Sequence, residues 1–504
     1  MIRRPPRSTQ SRSSAASDVY KRQHSDSPVA SDSGDVGADS GADSAVDSGS
    51  DTAAESGADS GSDTGVDSGS EAGSPDSGTG STVYPDDPNI LSTIDSIGDN
   101  TAVELEPYKL GGARVDEWVK NAGNRAPHRR DFCNKIVYAP DRQTGMYAGM
   151  NHGVPHKLND AWEYHLGSNT WYLLYYPEEM LIKPPPAGWY QENIMIEDGY
   201  LQTRTHGMPA GSHTWDGLTY EPTIRRLLWA NVGEKYFPME TYLAETGQTQ
   251  AEVEAQLLPG TRLWMYDPPQ GRWFKQLGDS PKPTTRTEGA SLEYVSHLKK
   301  TVWYTAQWNE SGMWLYDAGS NTWESLEPNN GVSLYHSGEN AFPQAELQMR
   351  YSEKHKKLVA VRRKFTYEYD FGTNTWTKVV EDAANEANDA RTIFVYDSVN
   401  DVFLLLDPKI PSLRSYSITT QAWTTLTPGG APFPSTYSAG YFDPVHNVMV
   451  VYDSKRPDGS RITRTWHAPS LGYLPVMAQR IRNGNVEVTM RIRDLQRAAT
   501  TAAK

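Results

Sequence analysis

From residue 133 onward, short runs alternate apolar and polar positions and break at turn-type sequences, the period-two signature of half-buried strands. The runs pair into hairpins. NKIVYAP with TGMYAGM, DGLTYEP with RRLLWAN, ASLEYVS with KTVWYTA, QMRYSE with KLVAVRR, TIFVYDS with DVFLLLD and AGYFDP with NVMVVYD make six of one kind. A second kind follows five of these and carries an aromatic pair, Tyr-x6-Trp: Tyr164 and Trp171, Tyr266 and Trp273, Tyr316 and Trp323, Tyr369 and Trp376, Tyr416 and Trp423. GSNT, PPQG, GSNT, GTNT and TTQA lie between the rings, so each unit reads as strand, tight turn, strand with the aromatics facing inward.

The sixth unit is one strand short. After Asn447–Asp453 the chain offers RITRTWHA (461–468) as a third strand and no matching fourth. A strand near Arg114–Val119, containing Trp118, is expected to supply it and so remove an exposed sheet edge. Successive tryptophans from Trp118 stand 53, 102, 50, 53 and 47 residues apart, so one extra repeat-length is inserted between Trp171 and Trp273. The insertion falls at 177–258, in two parts: an aromatic and proline-rich stretch at 177–215, and 237–258, whose later half reads as a short helix.

A repeat of about 50 residues built of four strands, with Trp118 followed by VKNAGNRAPHRR, resembles the kelch-repeat family, including the propeller of galactose-oxidase-like proteins. The resemblance covers about Val103 to His467. It implies an all-β fold, a six-bladed kelch-type β-propeller at 103–468 with 469–504 as a C-terminal extension; a seven-bladed ring using 469–497 is the alternative. The family's Gly-Gly doublet is lacking, and Ala148-Gly149 is its nearest relic.

The first eighty residues read differently. Residues 1–23 look like translated sequencing-adapter read-through and are set aside from the fold; an export signal would then belong to sequence upstream. Residues 24–82 place an acid at every fourth position from Asp35 to Glu71 among Ser, Gly, Ala and Thr. Like charges at that spacing repel along a helix and nothing apolar is available to bury, so a disordered acidic linker is expected. It resembles the spacers that hold bacterial surface domains off a lipid anchor. Of the net charge of −15, residues 1–23 carry +5 and 24–82 carry −13, leaving −7 for 83–504. The folded part therefore lacks the basic field of a nucleic-acid binder. No apolar run reaches membrane-span length. A single cysteine, Cys133, excludes an internal disulfide framework.

Aligning the first strands on Tyr138, Tyr220, Tyr294, Tyr351, Tyr396 and Phe442 brings a mixed polar and aromatic ring toward one channel mouth. Asp131, His213, Trp215, Glu346, Arg391 and Tyr437 are the candidate ligand-binding residues, with Glu346 near Arg391. The resemblance to galactose oxidase extends to Phe132-Cys133 and Tyr437, which stand like that family's cross-linked cysteine and axial tyrosine. Trp215 occupies the place of the cross-linking tyrosine and Ser438 that of the following histidine, so the copper set is incomplete. His128, His152 and His156, and His206 with His213, lie in loops without a nearby carboxylate cluster, and no metal or cofactor is assigned. Nucleophile elbow, phosphate loop and zinc-protease helix are all missing. These features point to a monomeric binding module, secreted or on the cell surface, that recognises a carbohydrate or protein ligand at a channel mouth. A metal- or cofactor-dependent oxidoreductase or lyase on the same scaffold is the alternative.

Overall fold

The computed structural model describes residues 84–112, 115, 127, 132–149, 159–177, 187–210, 213–231, 239–258, 262–278, 283, 290–307, 310–329, 347–362, 364–382, 392–407, 412–431, 438–453 and 462–467. The acidic stretch 24–82, the Trp118 segment and residues 469–504 lie outside it.

Five of the six sheets grow from the Tyr-x6-Trp spacing. A four-residue turn sets the two rings directly opposite each other on neighbouring strands in all five repeats. Their centroids lie 4.9–5.3 Å apart in the tilted geometry that aromatic pairs favour. Trp171, Trp273, Trp323 and Trp376 are buried, and Trp423 is half-buried.

The turn has a chemistry of its own. Its last residue is left-handed in every case: Asn169, Gly271, Asn321, Asn374 and Gln421, with φ between 49° and 63°. That conformation costs most L-residues about 1 kcal/mol, and asparagine tolerates it best. In three turns the asparagine is also a clasp. Its Oδ1 accepts from the Tyr hydroxyl, at 2.9 Å for Tyr164, 2.8 Å for Tyr316 and 2.5 Å for Tyr369. Its Nδ2 donates at 2.6–2.7 Å to Glu106, Leu277 or Glu327, carbonyls just past the outer strand of the preceding sheet. One side chain thus closes a hairpin and ties two sheets together.

Six sheets of four or five strands result. Their innermost strands are Val137–Ala139, Leu218–Glu221, Ser291–Val295, Gln348–Ser352, Ile393–Asp397 and Ala439–Asp443. Each of these abuts the next, and the last abuts the first. Every interface between consecutive sheets holds one apolar cluster, from Val137 with Leu218 between the first and second to Tyr441 with Trp162 between the sixth and first. Sheets built on four antiparallel strands and packed face to face around an axis are a β-propeller.

The closing strand is Thr101–Glu104, which pairs antiparallel with Ile462–His467, Ala102 opposite Trp466. This corrects the expectation for Arg114–Val119. Thr101–Glu104 alternates faces as such a strand must. Ala102 meets the core between the fifth and sixth sheets and Val103 the core between the sixth and first. Upstream, helix Pro88–Asp95 buries Ile90 and Ile94. Tyr84 stacks on Tyr172 at 3.6 Å and donates to Glu163 at 2.8 Å, and the Asp87 amide donates to Gly167 at 2.9 Å.

A four-stranded meander places its first and third turns on one face of the ring and its second turn and outgoing link on the other. Here every described turn between strands on the first face has four residues, and helix Pro88–Asp95, anchored by Asp87 on Gly167, lies on that face as well. The second face carries every long connection, including both parts of the insertion. Those parts fold as one module. Helix Trp189–Asn193, the hairpin of Ile194–Glu197 with Tyr200–Thr203, and helices Met239–Thr246 and Gln250–Gln256 share one apolar cluster around Tyr190, Ile194, Tyr242 and Val253. The helix expected in the later half of 237–258 is present, capped by Thr249 and Glu252, and the earlier half is helical as well. No helix among the described residues is long and apolar enough to cross a membrane.

Two outcomes follow. Asn321→Gly keeps the left-handed turn and loses the clasp, costing about 1 kcal/mol, whereas Asn321→Ala costs about 1 kcal/mol more, measured as a urea midpoint; equal losses would refute the turn's contribution. A chain begun at residue 106 exposes the edge of Ile462–His467, unfolds at lower urea and self-associates in size exclusion, while one begun at residue 84 behaves as the parent.

Candidate functional site

The axis of the ring is filled by charge. Lys135 and Asp216, just before their inner strands, and Glu293 and Arg350, at the middle of theirs, enter from four different sheets. Asp216 is buried and accepts from Arg350 Nη1 at 2.7 and 2.8 Å and from the Met349 amide at 3.1 Å. The Ser291 hydroxyl donates to the same carboxylate. Lys135 Nζ lies 3.8 Å from Asp216 and donates to the Leu292 carbonyl at 2.6 Å and to Glu293 at 2.9 Å. Glu293 in turn accepts the Tyr351 amide at 3.1 Å.

The two cations and two anions cancel, and each carboxylate also accepts neutral donors, the condition under which buried charges are tolerated. Burial and the nearby Arg350 push the Lys135 ammonium below its usual range, while Asp216 and Glu293 oppose that shift. Around this cluster Gln348 donates to the Thr392 carbonyl and hydroxyl at 2.9 and 3.0 Å, and Asn134 donates to the same carbonyl. Backbone bonds between Ile136 and Gly440, at 3.1 Å, and between Gly440 and Asn134, at 3.2 Å, bring in the sixth sheet. The side-chain oxygens of Gln348 and Thr214 are buried without a hydrogen-bond partner at this end of the channel.

Beside the charge cluster, the segments entering the first two inner strands are locked by aromatic rings. Phe132 stacks on His213 at 4.9 Å, and His213 meets Trp215 edge-on at 5.3 Å. The Trp215 amide donates to the Phe132 carbonyl at 2.6 Å. Phe132 and Trp215 both have positive φ, 56° and 45°, a conformation that bulky residues rarely hold unless surroundings enforce it. Cys133 Sγ accepts the Thr214 amide at 3.4 Å, and a Cβ on Gly149, itself at φ 112°, would meet that sulfur at 2.7 Å. The Ala148-Gly149 relic therefore requires its glycine.

Of the six residues expected at the mouth, His213 and Trp215 are brought together, but buried in this aromatic lock. Asp131, Glu346, Arg391 and Tyr437 lie outside the described residues, as do His128, His152 and His156. Among the described residues no three His, Cys, Asp or Glu side chains gather as a metal set would. The axial charges Lys135, Glu293 and Arg350 were not among the expected residues. Their signal is a charge within or just before a largely apolar first strand, as in NKIVYAP, ASLEYVS and QMRYSE.

No family model and no curated protein sequence matches the chain. Solved structures do resemble it. An auxiliary nutrient binding protein from Bacteroides ovatus aligns over 72% of this chain and 76% of its own, at 9% identity and a TM-score of 0.38. Another, from Bacteroides thetaiotaomicron, aligns over 67% and 69%, at 8% identity and 0.38. TolB from Acinetobacter baumannii aligns over 72% and 96%, at 10% identity and 0.31.

Arg350→Met leaves Asp216 buried beside too few cations and costs about 3–5 kcal/mol in urea unfolding, and adding Asp216→Asn to it recovers part of the loss. Additive losses would mean that the two side chains do not act as a pair.

Proposed function

We propose that the six sheets are the blades of a kelch-type propeller at about 103–468. In this reading the protein is a monomeric binding module, working outside the cytoplasm, for a carbohydrate or protein ligand. The observation that carries the reading is the segregation of the loops. On one face the strands are joined only by four-residue turns, beside helix Pro88–Asp95, while the other gathers all the long connections between strands and a braced insertion module. Binding residues concentrate on irregular loops held by a rigid scaffold. The channel beneath that face is closed by mutually satisfied charges, which suits a rigid platform better than a catalytic pocket. The Asp/Ser/Gly composition of 24–82 suits a spacer on a displayed domain and supports the extracytoplasmic setting.

Screening the full chain on arrays of glycans and extracellular proteins is expected to retain a ligand. Hydrogen exchange with that ligand bound is then expected to show protection at 187–210 and 239–258. Protection confined to the four-residue turns, or no retained ligand, overturns the reading.

A further inference from the structure

The aromatic lock on the face of long connections holds one ring whose placement packing alone does not explain. Among the described residues, the hairpin turns and the turn at Asn100 account for every non-glycine residue with positive φ except Phe132 and Trp215. These two are bulky, and they stand where the chain enters the first two inner strands. Backbone strain of this kind persists only where the surroundings enforce it, and it gathers at ligand clamps.

The two rings serve different ends. Trp215 is buried and meets the equally buried His213 edge-on. Phe132 is only half-buried. His213 backs one face of its ring, with an interplanar angle of 20°, and Trp215 lies alongside at 6.4 Å. The Trp215 amide pins the Phe132 carbonyl, so the direction of the ring is fixed. Phe132 is thus a flat apolar surface, braced from behind and left partly open on the face that carries the insertion module.

The surroundings select the ligand. The nearby axial charges Lys135, Asp216, Glu293 and Arg350 satisfy one another and offer an incoming molecule no net charge. The space behind Phe132 is filled by His213 and Trp215, whereas the anchor side chain of a protein partner requires a pocket. A pyranose with equatorial hydroxyls requires none. Its face is a layer of axial C–H bonds, whose hydrogens suit the negative face of an aromatic ring. We propose that Phe132 is the stacking platform for one sugar ring of a neutral glycan built from such pyranoses. The proposal rests on the binding reading above and narrows its ligand to carbohydrate.

Cellohexaose, a neutral chain of all-equatorial glucose rings, is the probe, used on the full chain. The sequence holds ten phenylalanines, so fluorophenylalanine labelling gives a short fluorine NMR spectrum in which the Phe132 line is the one lost in Phe132→Tyr. Cellohexaose is expected to shift that line. Phe132→Asn suits the left-handed backbone and lacks the ring; it is expected to bind about tenfold more weakly with its other lines in place. Absence of binding, binding that leaves the Phe132 line unmoved, or equal affinity for Phe132→Asn overturns the platform. If Phe132→Asn loses its other lines, the shift in the parent decides alone. Hydrogen-exchange protection at 187–210 and 239–258 by another ligand, with the Phe132 line unmoved, refutes the platform and leaves the binding reading intact.

Discussion

Four of the six sheets meet at the carboxylate of Asp216. It is buried, and its hydrogen bonds and ion pairs come from Ser291, the Met349 amide, Arg350 and, at 3.8 Å, Lys135. Apolar clusters between sheets are non-directional and would tolerate sliding or a different number of modules. A charge in low dielectric does not tolerate displacement, because a lost partner leaves it unsatisfied. The axial network therefore fixes the angular order of the inner strands, and the apolar interfaces and asparagine clasps fill in around it.

How much of this was legible in the sequence depended on whether an element's signal was local. Tyr-x6-Trp was readable because both rings sit on one hairpin, and the turn between them fixes their pairing. The closing strand was not. Thr101–Glu104 is four residues long, has no aromatic and takes its meaning from a partner more than three hundred and fifty residues away. Trp118 lay at the repeat interval and so attracted the assignment. The axial charges were missed for a related reason. Glu293 and Arg350 stand one residue before their hairpin anchors, but Lys135 stands three before and Asp216 four, so no single aligned column contains all four; they meet only when the strands surround a common axis.

The insertion shows the same limit. Its two parts were visible as departures from the repeat, and the second as partly helical. That they share one core could not be read, because strands Leu218–Glu221 and Arg226–Asn231 of the second sheet separate them in the chain. Parity explains the reunion: a link between sheets and a link between second and third strands emerge on the same face, so two interruptions of the repeat reach each other without crossing the sheet.

The way the described chain begins has a mechanical consequence. A domain held from its N-terminal side and pulled would transmit tension to its first anchored residues. Here those are not the closing strand but the clamp before it, where Tyr84 lies on Tyr172 and bonds Glu163, and where Asp87 grips Gly167 and Lys109. This clamp and helix Pro88–Asp95 sit in series with Thr101–Glu104 and take the load first. Such a pull would have to strip a stacked tyrosine and a helix before it could unzip the ring, which makes the short preceding segment a strain relief for the seam.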